Sequence, residues 1–168
     1  MMKKRICGLL TAFFMASALS GCQSYEDVSL VLGADVENAE VILESDSHGG
    51  FHGDGERDII FQFRDDTFEE LIQMDQTWHP LPIQDDTVMA LLYGLEKDGV
   101  IYGPHLWAGQ EEMRLPHIEK GYYLFYDRHA ESVAPFDSKG VLERNSLNIT
   151  VAVYNTETDR LYYAELDT

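Results

Sequence analysis

The stretch that decides the fold is LNITVAVYNTETDRLYYAEL, residues 147–166. Its first half alternates between large apolar side chains and smaller or polar ones, which predicts a strand with one apolar face. The large apolar positions are Leu147, Ile149, Val151 and Val153. Residues 155–159 are turn formers, and residues 160–166 read as a returning strand. The sequence therefore predicts a C-terminal β-hairpin.

Other strands are predicted upstream of this hairpin. Residues 121–127 are aromatic and favour β structure, and residues 57–63 alternate with Ile59, Phe61 and Phe63 on one side. Residues 41–43 form a short apolar run that stops at a cluster of glycines. Residues 28–32, VSLVL, are interpreted either as a first strand or as part of a tether.

Two short helices are predicted between the strands. Thr67 and Glu70 have the spacing of a capping box, so a helix of about eight to ten residues should begin near Asp66. Residues 78–82, WHPLP, then favour an extended connection, because the two prolines lack amide donors.

The second helix should be capped by Asp85 or Asp86 and should end at Gly94. Residues 96–120 are rich in glycine and proline and are interpreted as loops. The resulting order of elements is β-α-α-β-β-β. We therefore expect one α+β domain with an antiparallel or mixed sheet and two short helices.

The N-terminus, MMKKRICGLLTAFFMASALSGC, has the organisation of an export signal. A basic segment ends at Arg5, and the 13 apolar residues 6–18 are fewer than the roughly 20 that a membrane span needs. Leu19-Ser20-Gly21-Cys22 then resembles the lipobox of bacterial lipoproteins. That resemblance implies a signal peptide at residues 1–21 and a lipidated Cys22. The alternatives are an ordinary secretory signal and an uncleaved anchor.

The boundaries that follow are a short tether at residues 22–27 and a single α+β domain at residues 28–168. Two acyl chains on Cys22 would suffice for stable anchoring, which implies a cell-membrane location with the domain outside the cytoplasm. Cys7 would leave with the signal and Cys22 would carry lipid, so no cysteine remains for a disulfide.

The charge balance excludes one class of partner. The chain has 12 basic and 30 acidic residues, a net charge of −18. The first 21 residues carry three of the bases and no acid, so the other 147 residues keep nine bases and all 30 acids. Such a surface repels phosphate backbones, and we expect no nucleic-acid binding. A hydrophobic content of 45% predicts a folded core despite this charge.

The segment DSHGGFHGDG, residues 46–55, carries the candidate metal ligands His48, His52 and Asp54. Its spacing matches neither the helical zinc motif nor a calcium loop, and its glycines match neither a dinucleotide fingerprint nor a P-loop. We interpret it as a tight loop between two strands in which the glycines adopt positive φ. No metal or cofactor is predicted, and divalent-metal or ligand binding is the alternative.

No catalytic residue can be assigned from the sequence. It has no nucleophile elbow and no cysteine nucleophile after residue 22. With 30 acids, some carboxylate pair arises by chance. Trp78 and Trp107 could form a sugar-stacking platform, but aromatic residues at strand spacing are more often part of the core.

Several segments together resemble a group of small lipoproteins of unknown function from gut-type Firmicutes. They are His48–Gly55, Trp78 with Pro80-Leu81-Pro82, Gly121-Tyr122-Tyr123 with Asp127-Arg128, and Leu161-Tyr162-Tyr163. The resemblance implies location and a single domain, and it transfers no activity. We expect a non-enzymatic domain that binds a protein or a small ligand. The alternatives are a hydrolase acting on the cell envelope or glycans, and an accessory protein that binds metal or glycan.

Overall fold

The computed structural model describes residues 24–49, 53–107, 114–129 and 132–168. Within them, a six-stranded antiparallel sheet has the order β1-β2-β8-β7-β6-β3. Its strands are β1 Glu40–Asp46, β2 Gly55–Gln62, β3 His79–Pro80, β6 Gly121–Asp127, β7 Asn148–Asn155 and β8 Arg160–Asp167. A separate two-stranded sheet contains β4 Leu95–Lys97 and β5 Val100–Tyr102. The helices are α1 Glu26–Leu32, α2 Thr67–Met74 and α3 Asp86–Tyr93. The predicted α+β class is confirmed.

The predicted C-terminal hairpin lies at the centre of the large sheet. β7 pairs with β8 from Asn148 opposite Asp167 to Asn155 opposite Arg160. Each strand of this hairpin also has an outer neighbour, β6 beside β7 and β2 beside β8. Residues 149–154 of β7 and residues 161–164 of β8 are buried, because packed side chains cover both sides of the sheet there.

The two sides of the sheet carry two separate cores. On the side that we call the α1–α2 face, the helices α1 and α2 pack on Ile59, Phe61 and Tyr163. On the opposite side, the α3 face, helix α3 packs on Val151 and Tyr162. The prediction of a single apolar face for β7 is therefore incomplete. Thr150, Ala152 and Tyr154, the alternate positions, are fully buried against the α1–α2 core.

Helices α2 and α3 begin and end close to the predicted positions. Asp85 is the N-cap of α3, since its Oδ1 accepts hydrogen bonds from the backbone N–H groups of Thr87 and Val88, at 2.8 and 3.1 Å. Gly94 follows the helix with φ of +78°. The capping box predicted for α2 does not form, because Thr67 is already helical and Asp66 occupies the N-cap without a side-chain bond.

The prediction of a strand or tether at residues 28–32 is wrong, because this segment belongs to helix α1. Val28 and Leu32 are four residues apart, so the helix places both in the α1–α2 core. Gly33 ends the helix with φ of +67°. Tyr25, which falls within the predicted tether, is 8% exposed, and its ring meets that of Phe61 edge-on at 5.2 Å.

The segment predicted to be loop-rich, residues 96–120, contains most of the β4–β5 hairpin. The turn at Asp98 and Gly99 has positive φ at both residues, 54° and 76°, as a two-residue type I′ turn requires. Across the four described ranges, no helix combines the length and the hydropathy that crossing a membrane demands.

Candidate functional site

The glycine-rich segment connects β1 with β2, as predicted. Its glycines have different roles. Gly53 has a positive φ of +76°, but a Cβ on Gly55 would lie 2.7 Å from the backbone nitrogen of His48. Gly49 has neither restraint, since the nearest atom to its Cβ would be 4.0 Å away. The expectation that these glycines serve positive φ is therefore wrong for Gly49 and Gly55.

His48 is held at the edge of the α1–α2 face by two carboxylates. Its Nδ1 lies 2.7 Å from Asp46 Oδ1, and its Nε2 lies 3.1 Å from Asp167 Oδ2. The backbone N–H of His48 also donates to Asp46 at 2.8 Å, and this bond is the main cause that lowers the pKa of Asp46. Both ring nitrogens can donate together only when the imidazole carries two protons. His48 thus links the loop to the last strand.

Asp167 is the centre of this polar cluster. Its Oδ2 accepts from His48 and from Arg128 Nη2 at 3.1 Å, and its Oδ1 accepts from Asn148 Nδ2 at 2.8 Å. Arg128 also donates through Nε to Thr150 at 3.0 Å. We call these four residues, His48, Arg128, Asn148 and Asp167, the Asp167 cluster. The carboxylate of Asp167 accepts three hydrogen bonds from side chains, which is typical of a group that stabilises a structure.

The metal site that the sequence allowed is not assembled in the part of the chain that the structure describes. His52 lies outside the described residues, and Asp54 is exposed in the loop. His48 turns instead to Asp46 and Asp167, and the guanidinium of Arg128 occupies the side of Asp167 that a cation would need. Residues 24–49, 53–107, 114–129 and 132–168 contain no group of three or more ligating side chains suited to a metal.

A second carboxylate, which the sequence analysis did not select, lies on the α3 face. Asp58 of β2 is 6% exposed, and its Oδ1 has no hydrogen-bond partner among the described residues. Burial, followed by the charge of Glu56, raises the pKa of Asp58 to about 7. An interaction between the Glu56 and Asp58 side chains also contributes to this rise in the pKa of Asp58. We call Glu56 and Asp58 the acid pair.

The acid pair also holds the segment that follows β5. The backbone N–H of Trp107 donates to Glu56 Oε1 at 2.7 Å, and Trp107 itself has a positive φ of 53°. Its ring is 3% exposed and meets Tyr162 edge-on at 6.0 Å. Glu56 and Asp58 alternate with the apolar positions of β2, so the sequence places them on the opposite side of the strand. Only the tertiary structure shows that Asp58 on this side is buried.

A groove lies between helix α3 and the β4–β5 hairpin. It encloses a cavity of about 200 Å³. Its walls come from three elements, and the residues that line it are Asp86, Thr87, Ala90, Leu95, Lys97, Tyr102, Gly140, Leu142 and Glu143. One ion pair crosses it, since Lys97 Nζ lies 2.7 Å from Asp86 Oδ2. Apolar side chains and carboxylates therefore share this groove, which is a composition suited to binding.

The two tryptophans do not form a common platform. Trp78 belongs to the α1–α2 core, where its Nε1–H donates to the carbonyl of Leu32 at 3.0 Å. Trp107 belongs to the α3 core on the other side of the sheet. The sugar-stacking alternative therefore has no support from the pair.

Comparison with known proteins assigns no family to the chain. No protein-family model matches the chain, and it has no match among the curated proteins or the solved structures.

Proposed function

We propose that this protein is an extracytoplasmic lipoprotein, anchored through Cys22, whose folded domain binds a protein or a small ligand. The anchor is inferred from the basic segment, the apolar segment and the lipobox of residues 1–22. Cys22 lies outside the described residues, and Tyr25, three positions later, is already part of the core. Three residues span at most about 10 Å. A lipid on Cys22 would therefore hold the domain close to the membrane surface.

The observation that carries the binding activity is the groove between α3 and the β4–β5 hairpin. It offers apolar side chains such as Leu95 and Leu142 together with charged groups, next to a hairpin whose strand β5 is exposed. The Asp167 cluster favours the same conclusion indirectly. Its donors and acceptors satisfy one another, which is the property of a structural network rather than of a reactive centre.

The anchor is tested by replacing the cysteine. Cys22→Ser should abolish incorporation of a fatty-acid probe, because serine lacks the sulfur that carries the first acyl chain. The variant should also leave the membrane fraction or remain unprocessed. The control is Cys7→Ser in the predicted signal, which should label like the wild type. Undiminished labelling of Cys22→Ser would exclude the anchor.

The acid pair favours one alternative, a hydrolase. A carboxyl group whose pKa is raised beside a second carboxylate can supply a general acid and a general base. Turnover on a panel of cell-envelope and glycan substrates, lost in Asp58→Asn with the fold retained, would replace binding by hydrolysis. Against this alternative, Asp58 is only 6% exposed, and it is not among the residues that line the groove.

A further inference from the structure

The β4–β5 hairpin exposes an unusual amount of apolar surface. The three consecutive residues of β5, Val100, Ile101 and Tyr102, are 49, 76 and 38% exposed. A run of exposed apolar residues is unfavourable in a soluble domain unless it serves a contact. A two-stranded hairpin is also marginal without further packing. Both properties indicate that β5 gains a partner.

The base of this hairpin is held rigidly against helix α3. A Cβ on Gly103 would lie 1.9 Å from the carbonyl oxygen of Ala90, so the backbones are in direct contact there. The backbone N–H groups of His105 and Leu106 both donate to the carbonyl of Leu91, at 2.8 and 2.9 Å. The exposed strand is therefore presented on a fixed base rather than on a loose loop.

The register of the β4–β5 hairpin shows which side chains face the groove and which backbone groups face away from β4. Leu95 lies opposite Tyr102, and Lys97 lies opposite Val100, so these pairs share one side. Leu95, Lys97 and Tyr102 line the groove, which identifies that side as the inner one. Ile101 lies on the outer side. In a two-residue hairpin the closing pair exchanges both hydrogen bonds, so the backbone N–H and C=O of Ile101 point away from β4.

The outer edge of β5 is open to pairing in the described part of the chain. The small sheet there contains β4 and β5 and no third strand. A row of outward backbone groups on such an edge is a template for another strand. An extended peptide can use it by β-strand addition, with its alternate side chains entering neighbouring pockets.

The charge around the groove selects among occupants. The carboxylates of Asp86 and Glu143 line it, and Lys97, its lining cation, is already paired with Asp86. Two more carboxylates lie on the β4–β5 hairpin, Glu96 opposite Ile101 on the outer side and Asp98 in the turn. Outside the lining, Asp137 and Lys139 add one charge of each sign. The whole chain has a net charge of −18. A second copy or an anionic bilayer would meet like charge here, whereas a basic segment would be attracted.

We propose that the groove and the edge of β5 bind an extended basic segment of a partner protein. The segment pairs with β5 through the outward groups of Ile101 and buries an apolar side chain in the cavity of about 200 Å³. Its lysine or arginine side chains meet Glu96, Asp98 and Glu143. This inference rests on the proposed binding function and names the chemistry of the partner.

The test uses the full chain in neutral detergent and two fluorescein-labelled peptides. One alternates lysine with valine, and its matched control alternates glutamate with valine. The lysine peptide should bind at least about tenfold more tightly at low salt, and the difference should shrink as salt is raised. Glu143→Gln should weaken binding of the lysine peptide a few-fold.

Ile101→Pro is the decisive variant, because it removes an outward N–H and leaves the bonds between β4 and β5 in place. It should weaken binding at least about tenfold, whereas Ile101→Val, which keeps the N–H, should bind like the wild type. Unchanged circular dichroism and melting temperature show that Ile101→Pro folds. If it does not fold, N-methylation of alternate amides in the peptide tests the same pairing without changing the protein.

Three results would overturn the proposal: no binding of the lysine peptide, equal binding of both peptides, or binding indifferent to Ile101→Pro and to N-methylation. Self-association that Ile101→Pro abolishes would make a second copy the occupant instead. Cleavage of the bound peptide, seen by mass spectrometry, would favour the hydrolase. None of these results alters fatty-acid labelling at Cys22, so failure of the peptide site is separable from failure of the lipid anchor.

Discussion

Asp167 and Asp58 are carboxylates on strands that pair with each other, but they lie on opposite faces and in opposite surroundings. Asp167, on the α1–α2 face, accepts hydrogen bonds from His48, Arg128 and Asn148. Asp58, on the α3 face, is buried, and its Oδ1 has no hydrogen-bond partner among the described residues. Burial and the charge of Glu56 raise its pKa to about 7. The first carboxylate is surrounded by hydrogen-bond donors, and the pKa of the second is raised by burial.

This contrast teaches how to separate structural from reactive carboxylates here. The sequence drew attention to the glycine-rich loop, whose histidine has become part of a saturated network. Asp58, whose Oδ1 has no partner among the described residues, belongs to β2, and the sequence of β2 indicates no functional site. A buried carboxyl group with an unmet hydrogen bond is the rarer observation, and it is what favours the hydrolase alternative.

The largest expected effect comes from adding a third carboxylate where nothing can satisfy it. Val151 is fully buried in the α3 core. Val151→Asp should lower the free energy of unfolding by about 3–5 kcal/mol, since the charge has neither water nor a cation. Urea denaturation measures this change, with Val151→Ala as the control for lost volume. A melting temperature equal to that of the wild type would mean that this face is not a core.

A smaller loss is expected at the saturated carboxylate. Asp167→Ala should lower the free energy of unfolding by about 2 kcal/mol, because three donors lose their acceptor in a half-buried cluster. The matched control is Asp54→Ala, an exposed aspartate of the glycine-rich loop, which should stay within about 0.5 kcal/mol of the wild type. Equal effects of the two variants would remove the distinction between the cluster and the loop surface.

The smallest effect, and the one whose sign depends on pH, is expected at Asp58. Its pKa is raised from 3.8 to about 7 in the folded state. Between these values the folded state binds the extra proton, so this group destabilises the protein increasingly as the pH rises from about 4 to about 7. Asp58→Asn keeps a donor toward Glu56 without a charge. It should therefore be more stable than the wild type at pH 8, by about 1 kcal/mol, and no more stable at pH 4.

The measurement is the difference in melting temperature between Asp58→Asn and the wild type from pH 4 to pH 8, because other acids shift both proteins alike. Asp54→Asn, in the exposed loop, should show a flat difference over this range. A difference for Asp58→Asn that is also flat would mean that Asp58 is ionised throughout and that the proposed contrast with Asp167 does not exist.

Much of the local structure could be predicted because its causes lie close together in the chain. The hairpin of β7 and β8 follows from alternation and turn residues, and helix α3 follows from the N-cap Asp85 and from Gly94. Helix α1 was misassigned because VSLVL favours a strand by propensity. The burial of Val28 and Leu32 against the sheet overrode that preference.

The candidate sites were much harder to predict. His48 was selected for its residue type, but its partner Asp167 is 119 residues away and comes from another strand. The groove depends on a hairpin folding back toward α3, and the residues lining it come from three separated segments. No local sequence pattern indicates that His48 contacts Asp167 or that these three segments together line a groove.

The sequence by itself determined the net charge, the N-terminal signal-like segment, the turns and most of the helices and strands, since each depends on neighbouring residues. The tertiary structure alone decided that the C-terminal hairpin is central, because strand order is a long-range property. The cores packed on the two sides of the sheet bury both faces of β7 and cover Asp58 of β2 on the α3 face. Asp167 lies at the end of β8, among polar side chains. The same residue type therefore meets three hydrogen-bond donors at Asp167, whereas burial at Asp58 raises its pKa.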